Sequence, residues 1–106
     1  MSYIIFKYLE SEDGRIELEP GQEYIIGRGD NAYLQLKSSR SISREHLRVF
    51  MDGDDWKAEL VSKFGTLIYD NKSVKEVLLS KDIKFSLPPY EVEYSHSLAE
   101  NNIEAE

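Results

Sequence analysis

The chain contains no cysteine, which excludes disulfides, thiolate nucleophiles and thiolate metal sites. Long hydrophobic runs are also missing: nothing approaches the roughly 18 apolar residues of a membrane helix. The opening stretch, Met1 to Leu9, carries Lys7 inside its apolar run, unlike a secretory signal. An intracellular setting is therefore expected. Positive charge is scarce, with 13 Lys and Arg against 20 Asp and Glu, a net charge of −7. That balance counts against a nucleic-acid binder, because neutralising phosphates takes a surplus of cations. Histidine occurs only at His46 and His96, with no metal-ligand or hydrolase spacing. Internal repeats and low-complexity tracts are absent.

What is present is a rhythm of short β-branched and aromatic runs broken by turn residues. The candidate strands are Tyr3–Leu9, Arg15–Glu19, Tyr24–Ile26, Tyr33–Leu36, His46–Met51, Trp56–Val61, Thr66–Tyr69, Glu76–Leu79, Ile83–Leu87 and Tyr90–Tyr94. Turn signals separate them at Glu12-Asp13-Gly14, Pro20-Gly21, Asp52-Gly53-Asp54, Asp70-Asn71 and Pro88-Pro89. Short strands at this spacing read as an all-β sandwich or barrel. One domain is expected over residues 1–94, and 95–106 reads as an acidic flexible tail or the start of a linker.

Charge is uneven along the chain. From Lys37 to Arg48, four cations (Lys37, Arg40, Arg44 and Arg48) face Glu45 alone, a local +3. Such an island can attract a small anion. Gly27 to Ala32 satisfies the dinucleotide pattern G-x-G-x-x-A, yet the residues that follow alternate like a strand instead of opening a helix. Arg28-Gly29-Asp30 spells an integrin tripeptide and Asn71-Lys72-Ser73 a glycosylation sequon, each of which needs an extracellular protein. No enzyme, cofactor or metal is expected.

Three loops, each bordering a strand, hold the chemistry. Tyr24 to Arg28 ends a hydrophobic strand in Gly-Arg. Ser41 to His46 places two hydroxyls, a guanidinium and an imidazole before another strand. Ser62 to Thr66 adds a hydroxyl, an ammonium and a glycine. Gathered at one end of a sandwich, these groups suit a tetrahedral phosphate: guanidinium for paired oxygens, ammonium as a point charge, hydroxyl as a neutral donor.

Gly27-Arg28, then Ser43-Arg44-x-His46, then Ser62-x-x-Gly65-Thr66 resembles the forkhead-associated (FHA) domain, over about residues 3–94. The resemblance implies an FHA-type β-sandwich of ten to eleven strands that binds phosphothreonine on partner proteins. It implies that Arg28 grips phosphate oxygens, Ser43 donates its hydroxyl, and Arg44 supports the phosphate or the adjoining peptide. Gly27 would allow the turn, and His46 would brace the loops. Where most FHA domains have Asn to hold the peptide main chain, this sequence has Phe64, preceded by Lys63 and followed by Gly65. Lys63 would add charge there. Within the family, the strings Glu23–Arg28, Ser41–His46 and Ser62–Thr66 are similar to the nibrin group. Those proteins belong to a nuclear complex that processes DNA double-strand breaks. The implied partners are threonine-phosphorylated proteins, among them repair or checkpoint factors, with neither nucleic acid nor membrane bound directly. The alternative is a phosphorylation-independent scaffold that docks a folded partner, or itself, through a sheet face or edge.

Overall fold

The computed structural model describes residues 2–96, all of them in strands, turns and loops. Eleven strands form two sheets. The first sheet has the order β2 (Ser11–Leu18), β1 (Ser2–Tyr8), β11 (Tyr90–His96), β10 (Ile83–Leu87), β7 (Ile68–Tyr69) and β8 (Lys72–Ser73). The second runs β4 (Leu34–Gln35), β3 (Tyr24–Gly27), β5 (Leu47–Asp52), β6 (Asp55–Leu60) and β9 (Glu76–Leu79). All pairings are antiparallel except β3 with β4, where Ile26 faces Leu34. Among the described residues there is no helix long and apolar enough to cross a membrane.

The two-residue side-chain alternation decides what lies inside. Ile4 and Phe6 of β1, Leu47 and Val49 of β5, Trp56 and Ala58 of β6, and Val92 and Tyr94 of β11 all point into one core. Their neighbours face outward, as in other sandwiches with two apposed inner faces. Burying each large apolar side chain stabilises the fold by about 1.5–3 kcal/mol relative to leaving it in water. The outward face of the second sheet is bound by charge: Arg48 lies between Glu23 and Glu59, and Lys57 between Asp52 and Glu76.

Three sequence expectations change. Glu12-Asp13-Gly14 is no turn but part of β2, and the chain reverses earlier, at Leu9 and Glu10, both with positive φ. The register opposes Phe6 to Gly14 and Lys7 to Glu12, so Asp13 is the extra residue of a β-bulge. Lys72–Ser73 forms a strand, the second arm of a hairpin that reverses at Asp70 and Asn71, again with positive φ. Lastly, β11 continues through Ser95 to His96, where Ser2 Oγ and His96 Nδ1 are 2.7 Å apart. The remainder of the expected tail, from residue 97, lies outside the described residues.

The register also sets where the loops gather. Ile26 faces Leu47, and Leu47 faces Leu60, so the end of β3, the start of β5 and the end of β6 share one edge of the sandwich. The three chemistry-bearing loops leave from that edge. The Asp52–Asp55 hairpin closes the opposite end.

Candidate functional site

The loop after β3 and the loop before β5 are bonded backbone to backbone. Arg28 N–H donates to the Ser43 carbonyl at 2.9 Å, Gly29 N–H to the Arg44 carbonyl at 3.1 Å, and His46 N–H to the Ile26 carbonyl at 2.9 Å. Gly27 is what lets them approach. A Cβ at Gly27 would lie 2.1 Å from the Arg44 carbonyl oxygen, far inside contact distance. Its φ is not positive, unlike those of Gly21 and Gly53. The requirement for glycine is therefore close packing and not the turn that the family resemblance implied.

His46 ties this pair of loops to the third. It is 1% exposed. Its Nδ1 accepts the Ser43 N–H at 2.8 Å, and its carbonyl accepts N–H bonds from Val61 at 2.9 Å and Ser62 at 3.3 Å. Because Nδ1 is an acceptor, the neutral ring carries its proton on Nε2. That nitrogen is buried with no acceptor among the described residues. It is packed against Gly65, where a Cβ would stand 2.5 Å from Nε2. Gly65 thus makes room for the imidazole. Burial holds the His46 pKa below its ordinary 6.5, since charging the ring would need hydration the site withholds. These bonds join the second loop to the third through one side chain and one backbone.

Ser62, a residue of the third motif to which the sequence assigns no role of its own, links Ser43 to Phe64. Ser43 Oγ and Ser62 Oγ are 2.6 Å apart, and Phe64 N–H donates to Ser62 Oγ at 3.2 Å. The signal lay in the string Ser62-Lys63-Phe64, where a Ser two residues before an exposed N–H forms a local hydroxyl turn.

The cations stand at the rim. Arg28 is exposed and donates Nε–H to the Ile42 carbonyl at 3.0 Å, which fixes its root. Its terminal nitrogens have no partner among the described residues. Arg28 and Arg44 line an open cleft of about 510 Å³, together with Gly29, Asp30, Asn31 and Glu45. Lys63 and Phe64 follow Ser62 on the third loop, both exposed, with Phe64 94% so. They do not line the cleft. The cationic island expected from Lys37 to Arg48 is divided: Arg48 is spent on Glu23 and Glu59 and stacks on Phe50, with 3.9 Å from guanidinium to ring centroid. Lys37, Arg40 and Arg44 are exposed on the loop beside the site.

The arrangement can hold an anion with fixed donors. His46 is sealed and committed to Ser43, which removes it as a proton carrier. No group of three His, Asp or Glu side chains among the described residues could hold a metal ion.

Comparison with known proteins bears on family and fold. The family model for the FHA domain matches residues 24–87. No curated protein sequence matches the chain. Similar solved structures include the FHA domain of the CT664 protein from Chlamydia trachomatis, with a TM-score of 0.76 at 19% identity, covering 91% of this chain and 97% of that one. The FhaA FHA domain, solved in complex with the intracellular domain of Rv3910, has a TM-score of 0.72 at 22% identity, covering 89% and 99%. A domain solved in a study of phosphothreonine-dependent FHA interactions has a TM-score of 0.73 at 24% identity, covering 91% and 96%. These likenesses are of fold, a two-sheet FHA-type sandwich. Since the family model spans more than half of the chain, the protein belongs to the FHA-domain family, whose members are phosphothreonine-binding interaction modules.

Proposed function

We propose that this domain binds phosphothreonine-bearing segments of partner proteins at the loop end of the sandwich. The observation that carries the reading is that three backbone hydrogen bonds hold the loops of Arg28 and of Ser43 and Arg44 together, with both arginines lining one cleft. Arg28 grips phosphate oxygens, Ser43 donates its hydroxyl, Arg44 steadies the phosphate or the adjoining peptide, and Lys63 adds a point charge from the third loop. Phe64 and Gly65 lie along the peptide's path, while Gly27 and His46 hold the loops in register. A phosphothreonine carries about −1.5 to −2 charge and three acceptor oxygens. Three charge-assisted bonds at about 1.5–3 kcal/mol each, less the ordering of a flexible peptide, suit an affinity near 1 µM, about −8 kcal/mol.

The test is titration with a degenerate phosphothreonine peptide library beside its unphosphorylated copy. Selective binding of the phosphorylated pool, lost in Arg28→Ala at an unchanged melting temperature, is the expected result. Arg28→Lys should restore only part, since an ammonium cannot make paired planar contacts. Equal binding of both pools would favour the phosphorylation-independent scaffold.

We further infer a setting in DNA double-strand-break signalling in the nucleus. Its support is the likeness of Glu23–Arg28, Ser41–His46 and Ser62–Thr66 to the nibrin group. Recruitment of the tagged protein to induced breaks, dependent on Arg28, is expected. A protein that ignores breaks and stays outside the nucleus would remove the inference.

A further inference from the structure

We propose that the opposite end of the sandwich carries a second binding site, a slot for a basic segment of a protein partner that presents an apolar side chain between its cations. A cavity of about 470 Å³ opens there between the two sheets, beside the Asp52–Asp55 hairpin. That volume lies within the usual range of ligand sites. Its floor is apolar, built from Trp56, Met51 and Pro20 over the buried Leu18 and Leu79. Trp56 is only 6% exposed, and its indole N–H has no acceptor among the described residues.

The rim has one sign of charge. Glu17 and Glu19 come from the end of β2, and Asp54 and Asp55 from the hairpin between β5 and β6. All four are exposed. Among the described residues none takes part in an ion pair, and neither Lys nor Arg lines the slot. This contrasts with the outer face of the second sheet, where carboxylates are matched by Arg48 and Lys57. Unmatched carboxylates around an apolar floor attract cations and hold the side chain between them. The same charge disfavours occupants closer to hand. A second copy carries −7 overall, and residues 97–106 contain Glu100, Glu104 and Glu106 with neither Lys nor Arg. The occupant is therefore a basic segment of another protein. The domain would bind an anionic, phosphorylated segment at one end and a cationic one at the other.

The test titrates the full chain with unphosphorylated peptides of alternating Lys and Trp, beside an all-Lys peptide and an uncharged Ser–Trp peptide of equal length. Saturable binding of the Lys–Trp peptide is expected, with both controls at least about fivefold weaker. Replacing all four rim residues (Glu17→Gln, Glu19→Gln, Asp54→Asn, Asp55→Asn) should weaken it at least about fivefold. Phosphothreonine-peptide binding and melting temperature should not change, which separates this site from the Arg28 end. A second variant, Met51→Arg, sets a cation in the slot itself and should block the peptide with the rim intact. No saturable binding, equal binding of the all-Lys peptide, or indifference to both variants would overturn the proposal. So would a dimer in sedimentation that the rim variant abolishes, since a second copy would then be the occupant.

Discussion

The Tyr90 phenol donates a 2.8 Å hydrogen bond to the Asp13 carboxylate, across the strand that separates β11 from β2. Asp13 reaches that position because it is the extra residue of the β2 bulge, which turns a side chain away from the regular alternation. Its other oxygen accepts the Ser38 hydroxyl at 2.9 Å, and the Tyr90 oxygen accepts the Ser38 N–H at 3.1 Å. Ser38 begins the loop that carries Ser43, Arg44 and His46. A buried phenol, a bulge and a loop root thus form one closed network.

Tyr90→Phe should expose the worth of that network. It leaves the Ser38 N–H without its acceptor and the Asp13 carboxylate with the Ser38 hydroxyl as its remaining donor, and costs about 0.5–1.5 kcal/mol. A lower urea midpoint at constant m-value is the expected readout. Phosphopeptide affinity should fall with it, because the loop then loses one of the bonds that tie its root. A variant as stable as the parent would mean the phenol contributes packing alone.

Two glycines separate contact from conformation. Gly27→Ala drives a methyl into the Arg44 carbonyl and should cost about 3 kcal/mol or more, at the upper end of overpacking penalties. Gly53→Ala meets nothing within 4 Å, and its penalty, about 1–2 kcal/mol, comes only from a left-handed φ of 69°. Thermal denaturation of the pair should rank them in that order. The reverse order would show that the loops part easily at Gly27.

Strands with clear alternation and large apolar residues, such as β1, β5, β6, β10 and β11, were legible because burial on one face dictates their composition. The short β8 was not, since Lys72 and Ser73 bury nothing and pair only through the turn at Asp70–Asn71. The β1–β2 reversal was misplaced for a related reason. Leu9 and Glu10 carry no turn signature, whereas Asp13-Gly14 does and instead forms a bulge. At the site, the motif residues of the two bonded loops could be picked out by residue type. The Ser43–Ser62 hydroxyl pair could not, because it depends on two loops 19 residues apart meeting in space. Charge counting failed for Arg48 because its partners, Glu23 just before β3 and Glu59 on β6, are invisible to a window along the chain.

His46 predicts an acid-sensitive fold. Its folded pKa lies below 6.5 through burial, so the unfolded chain takes up the proton first as pH falls. The stability it contributes is complete above about pH 6.5 and declines below that value, down to the folded pKa. Chemical denaturation between about pH 7 and 5 should show this slope, ahead of the general loss as carboxylates protonate. His46→Asn offers an oxygen to the Ser43 N–H but cannot titrate. It should be less stable throughout and lack the slope in that window. An unchanged slope would assign the sensitivity to another group.

Ser62 offers the sharpest check on the phosphate reading, because the direction of its bonds follows from the proposal. If Ser43 gives its hydroxyl proton to a phosphate oxygen, its own oxygen is free to accept. The 2.6 Å contact must then run from the Ser62 hydroxyl to Ser43 Oγ. Ser62 Oγ in turn accepts the Phe64 N–H at 3.2 Å. The result is a relay from the third loop through Ser62 and Ser43 to the ligand, in which each bond polarises the next. Ser62→Ala removes the middle link without touching the phosphate. It should weaken phosphothreonine peptides by about 2- to 12-fold, the equivalent of one neutral hydrogen bond at about 0.5–1.5 kcal/mol. Ser62→Thr keeps the hydroxyl and should restore most of the affinity. Ser43→Ala should lose more than Ser62→Ala, and the double variant no more than Ser43→Ala alone, since the relay ends at Ser43. Additive losses in calorimetric titration would show that the two hydroxyls act separately, and the relay would have to be abandoned.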